Sequence, residues 1–274
     1  MRVEKAEIVC RGKRAILTGY IREEIQARKG RKRPAVIICP GGAYERCSDR
    51  EAEPAAVQFL AMGSHCFILD YSVKDAPFPT ALLQLAKAVA YLRTHAQEME
   101  LDEDQITVCG FSAGGHLAAS LGVFWNREEV YKEAGAECGE DIRPDRLILS
   151  YPVITSGPYG HQGSFRNLLG SSYGEEHMME LVSLEKQAGP HVPPVFMWHT
   201  DEDQTVPAEN SLLFAMALRK AGVSLEYHIF PHGRHGLSVA TEDSAKEEAG
   251  YVEPCCQQWI PLVKEWLGGL QFAK

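Results

Sequence analysis

Residues 106–121 read ITVCGFSAGGHLAASL. Ile106-Thr107-Val108-Cys109 is apolar and β-branched, the composition of a buried strand. Gly110-Phe111-Ser112-Ala113-Gly114 follows, a G-x-S-x-G, and then a helical run of small residues from Gly115 to Val123. Strand, sharp turn and helix in that order are the context of a nucleophile elbow, which strains the backbone of its central serine and lifts Oγ clear of the sheet. Glycines on either side of the serine let neighbouring backbone pass closely. The N–H of Ala113, at the helix N-terminus, would face a developing oxyanion. The competing reading is a glycine-rich strand-to-helix turn with an incidental serine, since so short a motif also arises by chance. The flanking strand and helix favour the nucleophile.

On the N-terminal side, residues 1–24 alternate loosely and read as one or two edge strands. Ala35-Val36-Ile37-Ile38-Cys39 is a continuous apolar run, as expected of a strand covered on both faces, and it ends in Pro40-Gly41-Gly42-Ala43-Tyr44. A helix is expected over 53–62, a strand over 66–71, and a helix over 80–97 with Ala81, Leu85, Ala88, Val89 and Leu92 on one face. Beyond the elbow, strands are expected at 146–152, 195–199 and 225–230, and helices at 208–221 and from about 254 to 270. Residues 153–189 read as irregular, with short helical patches. Buried strands alternating with amphipathic helices imply a mostly parallel, twisted sheet with helices on both faces. No repeat or Pro/Gly/Ser linker divides residues 1–274, so a single α/β domain is expected. Function in such sheets gathers at the C-terminal ends of the strands, which here selects 40–44, Ser112, 199–207 and 231–237.

The formal charge of −9 keeps the chain soluble and offers no general attraction to nucleic acid or an anionic membrane. The one basic run, residues 28–33, directly precedes a buried strand and reads as a solvated loop. The first residues lack the apolar core of a signal peptide, and no later segment is apolar enough to span a bilayer. The eight cysteines are scattered without a C-x-x-C, and Cys39, Cys66 and Cys109 fall in apparent strands. A reduced, cytoplasmic setting is therefore expected. The oligomeric state is left open, a homodimer being one arrangement.

A serine hydroxyl needs a base to take its proton, and that base needs an acid to fix its tautomer. The segment after the 195–199 strand offers three carboxylates, Asp201, Glu202 and Asp203. The segment after the next strand offers two imidazoles, His232 and His235. The chain order is serine, acid, histidine, which differs from the orders of the two other familiar triads.

With these motifs in hand, the chain resembles the α/β-hydrolase superfamily in its small carboxylesterase and acetylesterase branch, which holds acetylxylan-esterase-like and hormone-sensitive-lipase-like proteins. The resemblance runs from about Pro34 to Trp266 and is carried by PGGAY at 40–44, GFSAGGH at 110–116, HTDEDQTVP at 199–207 and HGRHGL at 232–237. It implies an α/β-hydrolase fold and aligns Asp203 as the acid, leaving Asp201 and Glu202 on the surface. It aligns His235, in its G-x-H-G setting, as the base and leaves His232 as a loop residue. It implies an oxyanion hole from the N–H groups of Ala113, Gly42 and Ala43, although the family's H-G-G-G loop is here Pro40-Gly41-Gly42-Ala43. A purely structural turn is the alternative for Gly41. It also implies an ester hydrolase acting on short acyl groups, acetyl above all, on carbohydrate, without metal or cofactor. Residues 153–190 lie where this superfamily inserts lids and suit a small cover, with Tyr159, Phe165 and Tyr173, better than a large cap.

Tyr44, just after the oxyanion loop, is a candidate to line the substrate pocket, with ordinary packing as the alternative. His116 reads as a packing residue, and Asp70-Tyr71 as loop support. His161, His177 and His191 have no metal-ligand spacing, and there is no H-E-x-x-H. Gln84 stands where related sequences often place an aspartate, a departure expected to touch support and not chemistry. Two rival functions share the fold: a serine peptidase or amidase, which usually carries an extra domain this length cannot hold, and a non-catalytic binding protein, which a complete triad argues against.

Overall fold

The run Ala35–Cys39 has no polar face to offer water. In the computed structural model of the protein, which describes residues 1–23 and 30–269, it forms the inner strand β3 (Arg33–Cys39) of an eight-stranded sheet. The other strands are β1 (Arg2–Cys10), β2 (Lys13–Ile21), β4 (His65–Asp70), β5 (Leu101–Phe111), β6 (Arg146–Ser150), β7 (Val195–Thr200) and β8 (Leu225–Phe230). Their order across the sheet is β1-β2-β4-β3-β5-β6-β7-β8. β1 and β2 pair antiparallel, β2 meets β4 antiparallel, and every later pairing is parallel.

Alternation along each strand sends its side chains to two separate cores. From β3, Ala35, Ile37 and Cys39 enter one core while Val36 and Ile38 enter the other. From β7, Val195 and Met197 part from Phe196 and Trp198 in the same way. Helices α2 (Thr80–Thr94), α3 (Ala113–Phe124) and α7 (Glu209–Lys220) cover the first face, through Leu85, Leu117 and Phe214 among others. Helices α1 (Glu53–Met62) and α8 (Trp259–Gly269) cover the second, through Phe59, Trp259 and Val263. Each fully buried Val, Ile or Leu of these strands stabilises the fold by roughly 1.5–3 kcal/mol. The cysteines expected in strands, Cys39, Cys66 and Cys109, are fully buried as free thiols.

The structure departs from the sequence reading at several ends. Helix α2 stops at Thr94, before the expected residue 97, because Leu101 already enters the sheet, pairing with Arg33. β5 therefore begins five residues ahead of the apolar run, and a register shift between Arg33 and Ala35 accommodates its polar stretch. A short helix α4 (Glu128–Glu133) was not expected, and only Val130 of it is buried. Arg33, the end of the basic run, belongs to β3 and not to a loop, while Lys32 pairs with Glu103 at 2.8 Å. Glu24, Arg28, Lys29 and Leu270, to which the expected N-terminal strands, basic run and last helix extended, lie outside the described residues. No helix among the described residues is long and apolar enough to cross a membrane.

Residues 153–190 form two short helices, α5 (Gln162–Leu169) and α6 (Glu176–Leu181), with single turns of 3-10 helix. They are tied to the body by polar side chains from both sides. Asn210 Oδ1 accepts the N–H groups of Ile154 and Thr155, and the Asn167 amide reaches the Ala43 carbonyl at 2.9 Å. His116, fully buried, donates from Nε2 to the Val182 carbonyl and accepts the Tyr44 hydroxyl at Nδ1, both at 2.9 Å. Burial pushes the His116 pKa down to about 4, so it stays neutral while the unfolded chain takes up a proton near 6.5. Stability is thus expected to fall as pH drops from about 6.5 to 4, by up to about 1.4 kcal/mol per pH unit from this residue. Thermal melts at pH 7 and 5 should show it, and His116→Gln should flatten the dependence. An equal slope in that variant would remove His116 as its source.

Candidate active site

The elbow forms at the C-terminal end of β5. Ser112 sits between strand and helix with φ 53 and ψ −118, a left-handed conformation that costs a side-chain-bearing residue about 1–3 kcal/mol. The turn is possible because of what surrounds it. A Cβ on Gly114 would run into the carbonyl oxygens of Cys39 and Pro40, so only glycine lets α3 lie this close to β3. The Ser112 carbonyl accepts the N–H groups of His116 and Val153, which pins the turn to both the helix and the next loop.

Ser112 Oγ lies 2.8 Å from His235 Nε2, and His235 Nδ1 lies 2.6 Å from Asp203 Oδ2. The three residues come from the ends of β5, β7 and β8, side by side in the parallel sheet apart from β6. An ionised carboxylate can only accept, so Nδ1 carries the proton and the Nε2 lone pair faces the serine hydroxyl. Asp203 is 3% exposed, yet fully satisfied: Oδ1 accepts the N–H groups of Thr205 and Val206, each at 2.9 Å. His199 Nε2 adds a contact to Oδ2 at 3.4 Å. Burial works against charge on this carboxyl, but the hydrogen bonds from His199 and His235 outweigh it and hold the group well below the usual range. The remaining carboxylates and imidazole stay away. Asp201 and Glu202 are exposed, and Glu202 pairs with His232 at 2.9 Å on the surface.

The loop after β3 faces the serine. Gly42 has φ 127, and a Cβ there would collide with the Arg46 carbonyl. Ala43 and Tyr44 both adopt left-handed conformations, φ 58 and 55, so the alanine in place of glycine does not prevent the turn. Among the described residues the N–H groups of Gly42 and Ala43 have no acceptor, whereas that of Gly41 is taken by Glu51 Oε2 at 2.9 Å. Gly41 is therefore a structural turn. Tyr44 does not line the cleft: its left-handed backbone turns the ring into the core, 3% exposed, against Tyr71 and His116. Tyr71 supports the loop as expected, its hydroxyl reaching the Pro40 carbonyl at 2.6 Å. Gln84, fully buried, holds Ser72 through its N–H and hydroxyl, a supporting role remote from the serine.

Three residues around the site were not singled out from sequence. Glu51 is buried and bridges two loops: Oε2 takes the Gly41 N–H and Oε1 the Tyr151 hydroxyl at 2.8 Å. That hydroxyl accepts the Ser238 N–H, and the Tyr151 ring packs edge-on to His235 at 5.1 Å. One carboxylate thus couples the loop after β3 to the loop that carries His235. Glu51→Ala strands a buried N–H and a buried hydroxyl, and should lower unfolding free energy by on the order of 3 kcal/mol. Denaturant titration checks this, and a loss below about 1 kcal/mol would show that water replaces the carboxylate. His199 orients Asp203. His161 lines the cleft; its Nδ1 accepts the Ser164 N–H at 3.2 Å, which leaves the proton of the neutral ring on Nε2. Burial lowers its pKa, and so does the charge that His235 carries when protonated.

Ser112, His235, Gly42 and Ala43 line an open cleft of about 1040 Å³. The sequence model of the BD-FAE family matches residues 24–218, a span that holds the elbow and Asp203. The chain belongs to the BD-FAE family. Its fold is that of the α/β-hydrolases, and the solved α/β hydrolase MGS-M1 from a deep-sea metagenome superposes with a TM-score of 0.78 at 31% identity, covering 97% of each chain. The acetyl ester-xyloside bifunctional hydrolase of Caldicellulosiruptor lactoaceticus superposes with a TM-score of 0.82 at 33% identity, covering 95% of this chain and 89% of the other. Among curated proteins, endo-1,4-beta-xylanase B of Butyrivibrio fibrisolvens is 39% identical over 216 residues, which are 77% of this BD-FAE chain and 34% of the xylanase. The chain spans between about a third and a half of the curated relatives it matches first.

Proposed function

We propose that this BD-FAE protein is a serine esterase that removes short acyl groups, acetyl in particular, from esterified carbohydrate. The observation that carries the reading is the unbroken chain Ser112 Oγ–His235 Nε2, His235 Nδ1–Asp203 Oδ2, whose serine and histidine line an open cleft. His235 takes the hydroxyl proton as Ser112 attacks the ester carbonyl. The charge that develops on the carbonyl oxygen is met by the N–H of Ala113 and those of Gly42 and Ala43, each worth about 3 kcal/mol. Protonated His235, steadied by Asp203, hands its proton to the leaving alcohol, and water under the same base releases the acid from the acyl-enzyme. The short helices of residues 153–190 act as a modest cover, which suits a small acyl group on a bulky alcohol. The names of the relatives, an acetyl ester-xyloside hydrolase and a xylanase, support acetylated carbohydrate.

The test is mass spectrometry of acetylated xylo-oligosaccharides incubated with the wild type and with Ser112→Ala, with p-nitrophenyl acetate and p-nitroacetanilide alongside. Loss of acetyl mass with the wild type alone supports the full reading. Cleavage of only the nitrophenyl ester keeps the esterase and discards the sugar, and faster anilide cleavage points to an amidase. Failure of every substrate, together with no labelling by a fluorophosphonate, would leave a binding protein on a hydrolase fold.

A further inference from the structure

The cleft gathers four cations, beside three carboxylates, in a protein that is acidic overall. Arg46, Arg50, Arg234 and Lys246 line it, in a chain with 28 basic and 37 acidic residues. Three of them crowd one aromatic ring: the guanidinium carbons of Arg50 and Arg234 lie 4.4 and 4.3 Å from the centre of Tyr251, and the Lys246 ammonium 5.0 Å. A single cation over a tyrosine is favourable by about 0.5–2 kcal/mol. Three around one ring repel each other over distances comparable to the Debye length of about 8 Å at physiological salt.

The cleft's own carboxylates, Asp49, Glu51 and Glu202, are each bonded to groups other than these four side chains. Glu51 is committed to the Gly41 N–H and the Tyr151 hydroxyl, Glu202 to His232, and Asp49 accepts the N–H of Arg50. Arg234 has a carboxylate partner in Glu248 at 3.3 Å. Arg50 is held by two carbonyls, Ser244 at 2.6 Å and Gly236 at 2.8 Å. Among the described residues, Arg46 and Lys246 have no ion-pair partner at all.

Position says which half of the substrate meets these groups. His235 must touch the leaving oxygen, so the residues around it line the alcohol half of the ester. Arg50 is bonded to the carbonyl of Gly236, the next residue, and Arg234 is the one before. Arg46 lines the same cleft from the loop after β3, its N–H bonded to the Gly42 carbonyl at 3.2 Å. Cations clustered on one wall of a cleft concentrate anionic ligands, and a guanidinium fork matches a carboxylate in both geometry and charge. Resting on the esterase reading, we propose that the alcohol half of the substrate is anionic: a carbohydrate that bears a carboxylate, an acetylated uronic acid in place of a neutral sugar.

Acetate release from monoacetylated methyl glucuronoside and from monoacetylated methyl glucoside is the matched comparison. At low salt, kcat/KM should favour the acidic ester by about tenfold, and the ratio should fall towards one in high salt. It should also fall in the double variant Arg46→Gln/Lys246→Gln. A ratio of one at low salt, or one that ignores both salt and the substitutions, overturns the proposal. Failure of both esters together with p-nitrophenyl acetate would sink the esterase reading instead. The anion site is then judged by binding to the Ser112→Ala protein, followed by NMR, with glucuronate, glucose and glucose 6-phosphate as probes. Salt-sensitive binding of glucuronate above that of glucose supports it, equal or absent binding of the two rejects it, and tighter binding of glucose 6-phosphate rejects the carboxylate as the recognised group.

Discussion

Ser112→Ala is expected to lower kcat on p-nitrophenyl acetate by about 10⁶-fold while the protein stays folded. The size of the loss follows from the geometry. Without Oγ, the lone pair of His235 Nε2, 2.8 Å away in the wild type, has no proton to take and no covalent intermediate can form. What remains is binding and the oxyanion donors, worth about 10³-fold over water. The fold should tolerate the change because alanine keeps the left-handed backbone of residue 112 and the turn is held by the Ser112 carbonyl, not by its hydroxyl. Initial rates and a denaturant titration measure the two sides. A variant within tenfold of the wild type would show that Ser112 is not the nucleophile, whatever the distances. Intact mass after brief exposure to the ester adds an independent reading, since an added acetyl on the wild type alone locates the acyl group.

The central sheet and the elbow were legible because their signals are local. A strand buried on both faces must be largely apolar, and Ala35–Cys39, Ile106–Cys109 and Val195–His199 could hardly be anything else. The elbow was legible because close passage of Cys39 and Pro40 demands a glycine at 114, which the sequence displays. What the sequence hid depends on partners far along the chain. Glu51 sits in an unremarkable polar stretch, and its meaning lies in a tyrosine 100 residues later. The cations about Tyr251 are likewise brought together by folding, Arg50 reaching a carbonyl 194 residues away. Tyr44 shows the converse failure. Its place after the oxyanion loop suggested the cleft, but two successive left-handed residues reverse the direction of the side chain, and no local pattern announces that reversal.

Asp203→Asn is expected to cost about 10⁴-fold in kcat with KM little changed, because it alters a tautomer and not a shape. The amide oxygen can still accept the N–H groups of Thr205 and Val206, which fixes the amide nitrogen towards His235. Two donors cannot face each other, so His235 must place its lone pair at Nδ1 and its proton at Nε2, where it can no longer serve as base for Ser112. The same substitution has a pH signature in stability. The folded-state pKa of Asp203 lies below that of the unfolded chain, so its charged form contributes stability at any pH above the ordinary aspartate value near 3.9. That contribution is lost progressively as pH falls from the ordinary value towards the depressed folded value, because over that range the unfolded chain binds the proton and the folded state does not. Asparagine has no such titration. The stability gap between wild type and Asp203→Asn, from denaturant titrations between pH 6 and 3, should therefore hold steady down to about pH 4 and narrow below it. A gap that ignores pH would mean the carboxylate is not held in its charged form by His235 and His199, and would undo the tautomer argument with it.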